Sequence, residues 1–449
     1  MVGLSDVPGH ELMLRSKHLH ASPSRRSVRW RVMSRRALSL AAVVALVLVA
    51  CTGDGGDPPS PAASIDLGTT IPASQTTTLA ANPTRGINRL VVLDRSGNIF
   101  TMDPDGSNPF QITEDAATVQ YFQPIWSPVR DRLVWGQAST EGFGVGSSAG
   151  DGSDPQIVPT FSLPFYLHWA PDGSQVGILY GGMQGVVFEV VDMESFTSTP
   201  VGSGSPFYFS WNPDGTEIAV HVGATDFGTL ELGEELIDLG GTAAIYQAPQ
   251  WTPAGIFHFA PQGLVLVEPG GDDQLLATLP GEPVFFVANP QGTKVAIESF
   301  IAGEEGDGST VALTPTAEID ANAVSVLDVA TGEVDVASED TSVGYFWSPD
   351  GESLLLLQLT GETGEVDVSV WRDGEINLLT TMTPPLSFFR EVLQFFNQYA
   401  QSLQLWSPDS SSVALSGTID DESGVWVIPT DGSEPSLIFD GGWVAWSYG

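Results

Sequence analysis

One phrase recurs along this chain: Trp, a small polar residue, Pro-Asp-Gly, then a short apolar run. It reads "LHWAPDGSQVGIL" from Leu167, "FSWNPDGTEIAV" from Phe209, "YFWSPDGESLLLL" from Tyr345 and "QLWSPDSSSVAL" from Gln404. Looser copies are "PIWSPVRDRLVW" from Pro124, "PQWTPAGIFHF" from Pro249 and "FVANPQGTKVAI" from Phe286, and "VAWSYG" stands at the C-terminal end. The reference positions are Trp126, Trp169, Trp211, Trp251, Ala288, Trp347, Trp406 and Trp446, at successive gaps of 43, 42, 40, 37, 59, 59 and 40 residues. A period near forty suits a unit of four short strands and their turns.

Each residue of the phrase has a mechanical role. Ser bonds the turn backbone, Pro presets φ at the second position, Asp tolerates the third, and Gly closes a type I-like turn. The run that follows, as in "TEIAVHV" or "SLLLLQL", reads as a strand with a buried face. Trp before the corner offers a large apolar surface to a neighbouring unit. With Gly 49 and Pro 32 in 449 residues, the chain is rich in turns and reads as all-β.

A four-stranded sheet cannot bury both faces alone, so the units must stack, and radial stacking makes a β-propeller. The ends of the array complement each other: residues 87–113 supply three strands with no Trp-bearing first strand, and "GGWVAWSYG" supplies a first strand with nothing after it. The expectation is an eight-bladed propeller closed by pairing of its N- and C-terminal strands. Seven blades is the alternative count if the Trp251 or Ala288 unit is not a blade of its own. The phrases resemble the Pro-Asp repeat of TolB-type (WD40-like) propellers over nearly all of residues 87–449, which implies a scaffold that presents loops to partners. Departures are Val129-Arg130, Ala254-Gly255, Ala288 for Trp and Ser410 for Gly.

The two gaps of 59 each carry about 18 extra residues, and excess length on a tight repeat is where function tends to sit. One insertion runs from Ile301 to Ala323, between second and third strands; the other runs from Thr381 to Ser402, between a fourth strand and the next first strand. Both connections leave the same side of an up-and-down blade, opposite the Pro-Asp-Gly corners. The second insertion reads as helical, with Pro384 or Pro385 at its start and Phe389, Val392, Phe396, Tyr399 and Leu403 spaced by three and four. Phe388 and Phe395 widen that stripe. It either covers its own ring or docks a partner, and Phe388, Phe389, Val392, Phe395, Phe396 and Tyr399 are the candidate partner-binding residues.

The formal charge is −39, and without the first fifty residues the balance is 8 basic against 53 acidic groups. A body so negative repels nucleic acid and anionic lipid head groups. The single cysteine, Cys51, excludes an internal disulfide. Before it stand Arg35-Arg36 and fourteen apolar or small residues, a secretory layout too short to span a bilayer. Leu48-Val49-Ala50-Cys51 resembles the lipobox of bacterial lipoproteins, which implies acylation of Cys51 and anchoring in the lipid bilayer on the extracytoplasmic side of the cell membrane. The expected organisation is a signal peptide over 1–50 (tidier if translation starts at Met33), the lipidated Cys and a flexible Gly/Pro/Ser/Thr linker over 51–84, and the propeller over 85–449. A linker of that length reaches roughly 30 Å.

Signals for catalysis are weak. "GSSAG" at Gly146 matches the pattern around a serine nucleophile at Ser148, but no helix pattern follows it. The mature body holds His168, His221 and His258 at different offsets from their reference positions, which argues against one metal centre. Acidic turns at Asp103-Pro104-Asp105 and Asp151-Gly152-Ser153-Asp154 match no EF-hand loop. The expectation is therefore a non-catalytic scaffold without cofactor that binds an envelope protein or peptide. The alternative is an enzyme or small-ligand receptor that uses the central channel.

Overall fold

The computed structural model describes residues 88–448, except 224–225, 241–246, 269–272, 279–281, 301–316, 319–322, 341, 361–363, 394–395 and 397–399. Eight antiparallel sheets follow one another along the chain, each joined strand to neighbouring strand. The second blade is typical: Gln120–Trp126, Leu133–Ser139, Gly142–Ser148 and Gln156–Thr160. The first strands of successive blades contact one another and so surround the axis. The seventh blade shows the burial gradient, from Ser353–Thr360, almost wholly buried, to the outermost Glu375–Met382, mostly exposed. The count is eight, and the Trp251 and Ala288 units are separate blades, beginning at Gln250–Thr252 and Glu282–Ala288.

The first blade is shared between the chain ends. Leu90–Asp94, Ile99–Met102 and Phe110–Gln111 are completed by Gly441–Trp446, with Leu90 opposite Trp446 and Val92 opposite Val444. Arg89 and Ser447 extend the ladder: the Arg89 N–H donates to Ser447 Oγ at 2.8 Å, and the Ser447 N–H donates to Arg89 O at 2.7 Å. Trp446 and Val444 then pack with Leu90, Met102, Ala414 and Val425 between the first and eighth blades. Trp443 turns the other way and donates its indole N–H to Pro124 O of the second blade at 3.2 Å.

The corners behave as their residues require. In Ser348-Pro349-Asp350-Gly351, the Gly351 N–H donates to Ser348 O at 2.9 Å, and Ser348 Oγ accepts the Ser353 N–H at 3.0 Å. Gly351 has φ of +74°, and a Cβ there would lie 2.0 Å from Gln291 Oε1 of the neighbouring corner. Ser410 takes the same left-handed conformation at φ of 60°, and its hydroxyl accepts the Asp350 N–H at 3.2 Å, linking the seventh and eighth corners. The Ala254-Gly255 departure is a tight hairpin with Thr252 opposite Gly255.

Both insertions leave the side opposite the corners. The described part of the first, Ala317–Glu318, pairs in parallel with Ala277 and Thr278, adding a fifth strand to the outer edge of the fifth blade. The described residues of the second are helical, as its spacing implies, but of changing type: an α-turn at Leu386–Phe388 runs into a π-turn at Phe389–Leu393, Phe396 is again α-helical, and a 3₁₀ turn follows at Ala400–Ser402. Pro385 is the cap residue before the first turn, at φ −71° and ψ 161°.

Closure by the terminal strands makes a test. Val444→Asp places a carboxylate in the closing seam and is expected to lower unfolding stability by about 3 kcal/mol or more, measured by the denaturant midpoint. An exposed change on an outer strand, Leu378→Asp, should shift it by less than about 0.5 kcal/mol.

Candidate functional site

The reference indoles fix neighbouring first strands to one another. Trp211 Nε1 donates to His168 O at 3.2 Å, Trp347 Nε1 to Val287 O at 2.8 Å and Trp406 Nε1 to Phe346 O at 3.0 Å. Each acceptor precedes the reference position of the blade before. At Ala288, where the indole is missing, Gln250 spans the same kind of junction: its Oε1 accepts the Ala288 N–H at 2.7 Å and its Nε2 donates to Phe286 O at 2.9 Å. Gln247 clasps both polar groups of Phe286 in the same way. These glutamines were missed in the sequence, where the only signal is a Gln just before Trp251 in the unit preceding the defective one.

Because those strands are held in register, their Pro residues converge around one mouth of the bore. Pro171, Pro213, Pro253, Pro290, Pro349 and Pro408 ring a cavity of about 430 Å³ whose wall is completed by the indoles of Trp211, Trp251, Trp347 and Trp406. Its floor is Ala400 from the second insertion with Leu403 and Gln404 just after it, and Ser447 and Tyr448 enter from the closing end.

The insertion stops the bore. Phe396 packs edge-on against Phe285, Tyr345 and Phe346, with ring centroids at 5.5, 4.8 and 5.3 Å. Ser402 meets the Tyr166 hydroxyl of the third blade, and Gln404 meets Tyr448, while the Gln404 carbonyl accepts the Trp446 N–H at 2.9 Å. Segments from the third, sixth, seventh and first blades thus grip one plug. The result is a funnel, open on the corner side and closed from the insertion side.

This placement revises the candidate partner-binding residues. Phe388, Val392 and Phe396 are 3%, 4% and 2% exposed, and Phe389 is half-buried against the same core. Most of their apolar stripe is spent on the protein's own ring, so Phe388, Val392 and Phe396 present almost no surface to a partner in this conformation, and only Phe389 stays partly open. Phe395 and Tyr399 lie outside the described residues, as do Leu48, Val49, Ala50 and Cys51. The reference tryptophans Trp126, Trp169, Trp211, Trp347, Trp406 and Trp446 are buried between blades, and Trp251 alone of the seven is half-buried, facing the funnel.

Among the described residues, the funnel lining contains no Asp, Glu, Lys or Arg. Of its two titratable groups, His168 is depressed by burial to about 4 and Tyr448 is raised by burial to about 12, so both are neutral around pH 7. His168 does not join the other histidines. His221 and His258 lie on the second strands of the fourth and fifth blades, and His258 stacks on Phe227 at 4.1 Å. Among the described residues no group of three or more His, Cys, Asp or Glu is placed to hold a metal ion.

Other sequence candidates resolve into structure. Ser148 is buried at the end of a strand and donates to Ala149 O at 2.9 Å. Asp103 accepts from Asn108 Nδ2 at 2.7 Å and faces Arg89, and Asp154 pairs with Arg132, so these turn carboxylates are engaged within the fold. The hydroxyls of Ser407 and Ser411 hold Asp409 below its ordinary range.

One carboxyl stands apart. Glu298, on the second strand of the sixth blade opposite Phe285, is pushed up to about 8 by burial and lies close to Tyr345. Phe285 and Tyr345 are two of the rings that seat Phe396, so this carboxyl sits behind the plug's socket.

No family model and no curated protein matches the sequence. Among solved structures, the chain is similar to TolB from Acinetobacter baumannii at 16% identity and a TM-score of 0.37, covering 66% of this chain and 64% of that one. A functionally unknown protein from Desulfotomaculum acetoxidans aligns at 12% identity and 0.42, covering 80% and 98%. An oligogalacturonate lyase in complex with manganese aligns at 12% and 0.44, covering 77% and 98%. These likenesses carry no functional argument, and the propeller assignment rests on the strand order itself.

The buried groups predict a two-sided pH dependence. Between the unfolded value of 4.5 and the folded value of about 8, native Glu298 keeps a proton that the unfolded chain has released. Stability therefore falls as pH rises through that window, by at most about 1.4 kcal/mol per unit. His168 and His258, held near 4 against an ordinary 6.5, act oppositely: the unfolded chain binds more protons below 6.5, so stability falls as pH drops toward 4. Glu298→Gln should abolish the fall in stability between pH 6.5 and 8 and steepen the acid limb between 6.5 and 4.5, where the carboxyl and the histidines act oppositely, measured by denaturant midpoints from pH 4 to 9.

Proposed function

We propose that this chain is a membrane-tethered extracytoplasmic lipoprotein whose ring binds an envelope protein or peptide without catalysis, seating an uncharged stretch of it in the funnel. The observation that carries this reading is the composition of the lining. In a chain of net charge −39, no Asp, Glu, Lys or Arg among the described residues lines a cup built from Pro, indole, Ser, Thr and Gln side chains. A charged guest would leave water without a counter-charge, at a cost of several kcal/mol. A neutral guest pays little and gains apolar contact and a few polar ones.

The lipobox-like Leu48-Val49-Ala50-Cys51 supports the tether. On the insertion side, Phe161 and Met183 are 70% and 93% exposed on loops and Phe143 is 42% exposed near the start of a strand, all in the second and third blades, so that face retains apolar tips even though the insertion's Phe388 and Phe396 are buried. A small neutral molecule in the same cup is the second reading, favoured by the closed floor and the modest volume.

The test is selection of displayed peptides on the purified full chain. Uncharged sequences should be enriched, and their affinity should drop at least tenfold in Tyr448→Asp, with circular dichroism verifying the fold. Enrichment of charged sequences, or equal binding by the variant, counts against the funnel as a peptide site. Enrichment of none, alongside binding of a neutral small molecule that Tyr448→Asp removes, supports the second reading. The anchor is tested separately by fatty-acid labelling in cells, expected in the native chain and lost in Cys51→Ser.

A further inference from the structure

The funnel's nearest source of uncharged peptide is the chain itself. Residues 67–84 read "LGTTIPASQTTTLAANPT", eighteen consecutive positions without Asp, Glu, Lys, Arg or His, bounded by Asp66 and Arg85. In a protein with 16% charged residues this is a long neutral interval, and it carries apolar side chains at Leu67, Ile71 and Leu79 and ring side chains at Pro72 and Pro83.

The ring fixes where that segment attaches. Arg89 exchanges backbone and hydroxyl hydrogen bonds with Ser447, and Ser447 is part of the funnel lining. The chain therefore joins the propeller at the rim of the cup, on the corner side. From Asn88 back to Leu79 is nine residues, a reach of up to about 30 Å when extended. A segment tethered so close is presented at an effective concentration on the order of millimolar, so even weak intrinsic affinity suffices for occupancy.

We propose that the neutral segment 67–84 is a ligand of the protein's own funnel, seated through Leu79–Pro83 against the proline and indole wall. This rests on the reading of the funnel as a peptide site. An external partner then binds by displacement, and displacement frees the length of linker between the anchor and the ring. Neutral guest and neutral cup are matched, whereas the upstream residues 52–66, which include Asp54, Asp57 and Asp66, are not.

Hydrogen exchange on the full chain in detergent tests it. Amides in 67–84 should exchange at least about tenfold more slowly than those in 52–66. Leu79→Asp, which lies outside the ring and leaves its folding intact, should abolish that protection and raise quenching of the indole emission by acrylamide as Trp251 is uncovered. Equal exchange of the two intervals in the native chain overturns the proposal, and so does protection that Leu79→Asp leaves unchanged. If displayed neutral peptides still bind in either case, the funnel remains a peptide site and only its self-occupancy is lost.

Discussion

Antiparallel pairing of Gly441–Trp446 with Leu90–Asp94 turns a row of sheets into a ring, and the other features follow from it. Without that ladder the first and eighth blades would each expose a face built to be covered, since Leu90, Val444 and Trp446 are almost inaccessible only because the two blades meet. The same pairing brings Ser447 and Tyr448 to the axis and aligns the mouth of the bore. A closed array has no axial gap through which the funnel could splay, so the position of each Pro around the rim is set collectively.

Within the ring, two kinds of junction hold adjacent first strands. Indole donors from Trp211, Trp347 and Trp406 reach backbone carbonyls of the preceding blade. Where Ala288 removes the indole, the amides of Gln247 and Gln250 bridge to Phe286 and Ala288 from the preceding blade. A planar amide can donate and accept at once and so imitates a strand edge, which an indole cannot do. The weakest copy of the repeat is thereby held by a larger number of polar contacts than the strong copies.

Much of this architecture was legible because the repeat phrase is local: Trp, Pro and Gly impose the corner and the contact without reference to distant residues. The blade count and the pairing of the chain ends could be read from unit boundaries alone. The course of the second insertion could not. Its aromatic spacing at Phe389, Val392 and Phe396 announces one apolar stripe, but periodicity says only that a face is buried, never against what. Phe396 found its partners in Phe285, Tyr345 and Phe346, residues brought together by the ring. Likewise the uncharged funnel has no linear motif, since its lining is collected from seven blades and the plug.

The Arg89–Ser447 contact joins residues 358 positions apart. Contacts at such separation form slowly, because the entropy of closing the loop is lost before the contact is gained. During biosynthesis the middle blades can assemble while the seam is still open, leaving a crescent with two bare hydrophobic ends. Such a crescent could join edge to edge with another copy or be cut by a protease. The seam is thus a kinetic checkpoint as well as a structural one, and the vulnerable interval ends when the last strand zips into place.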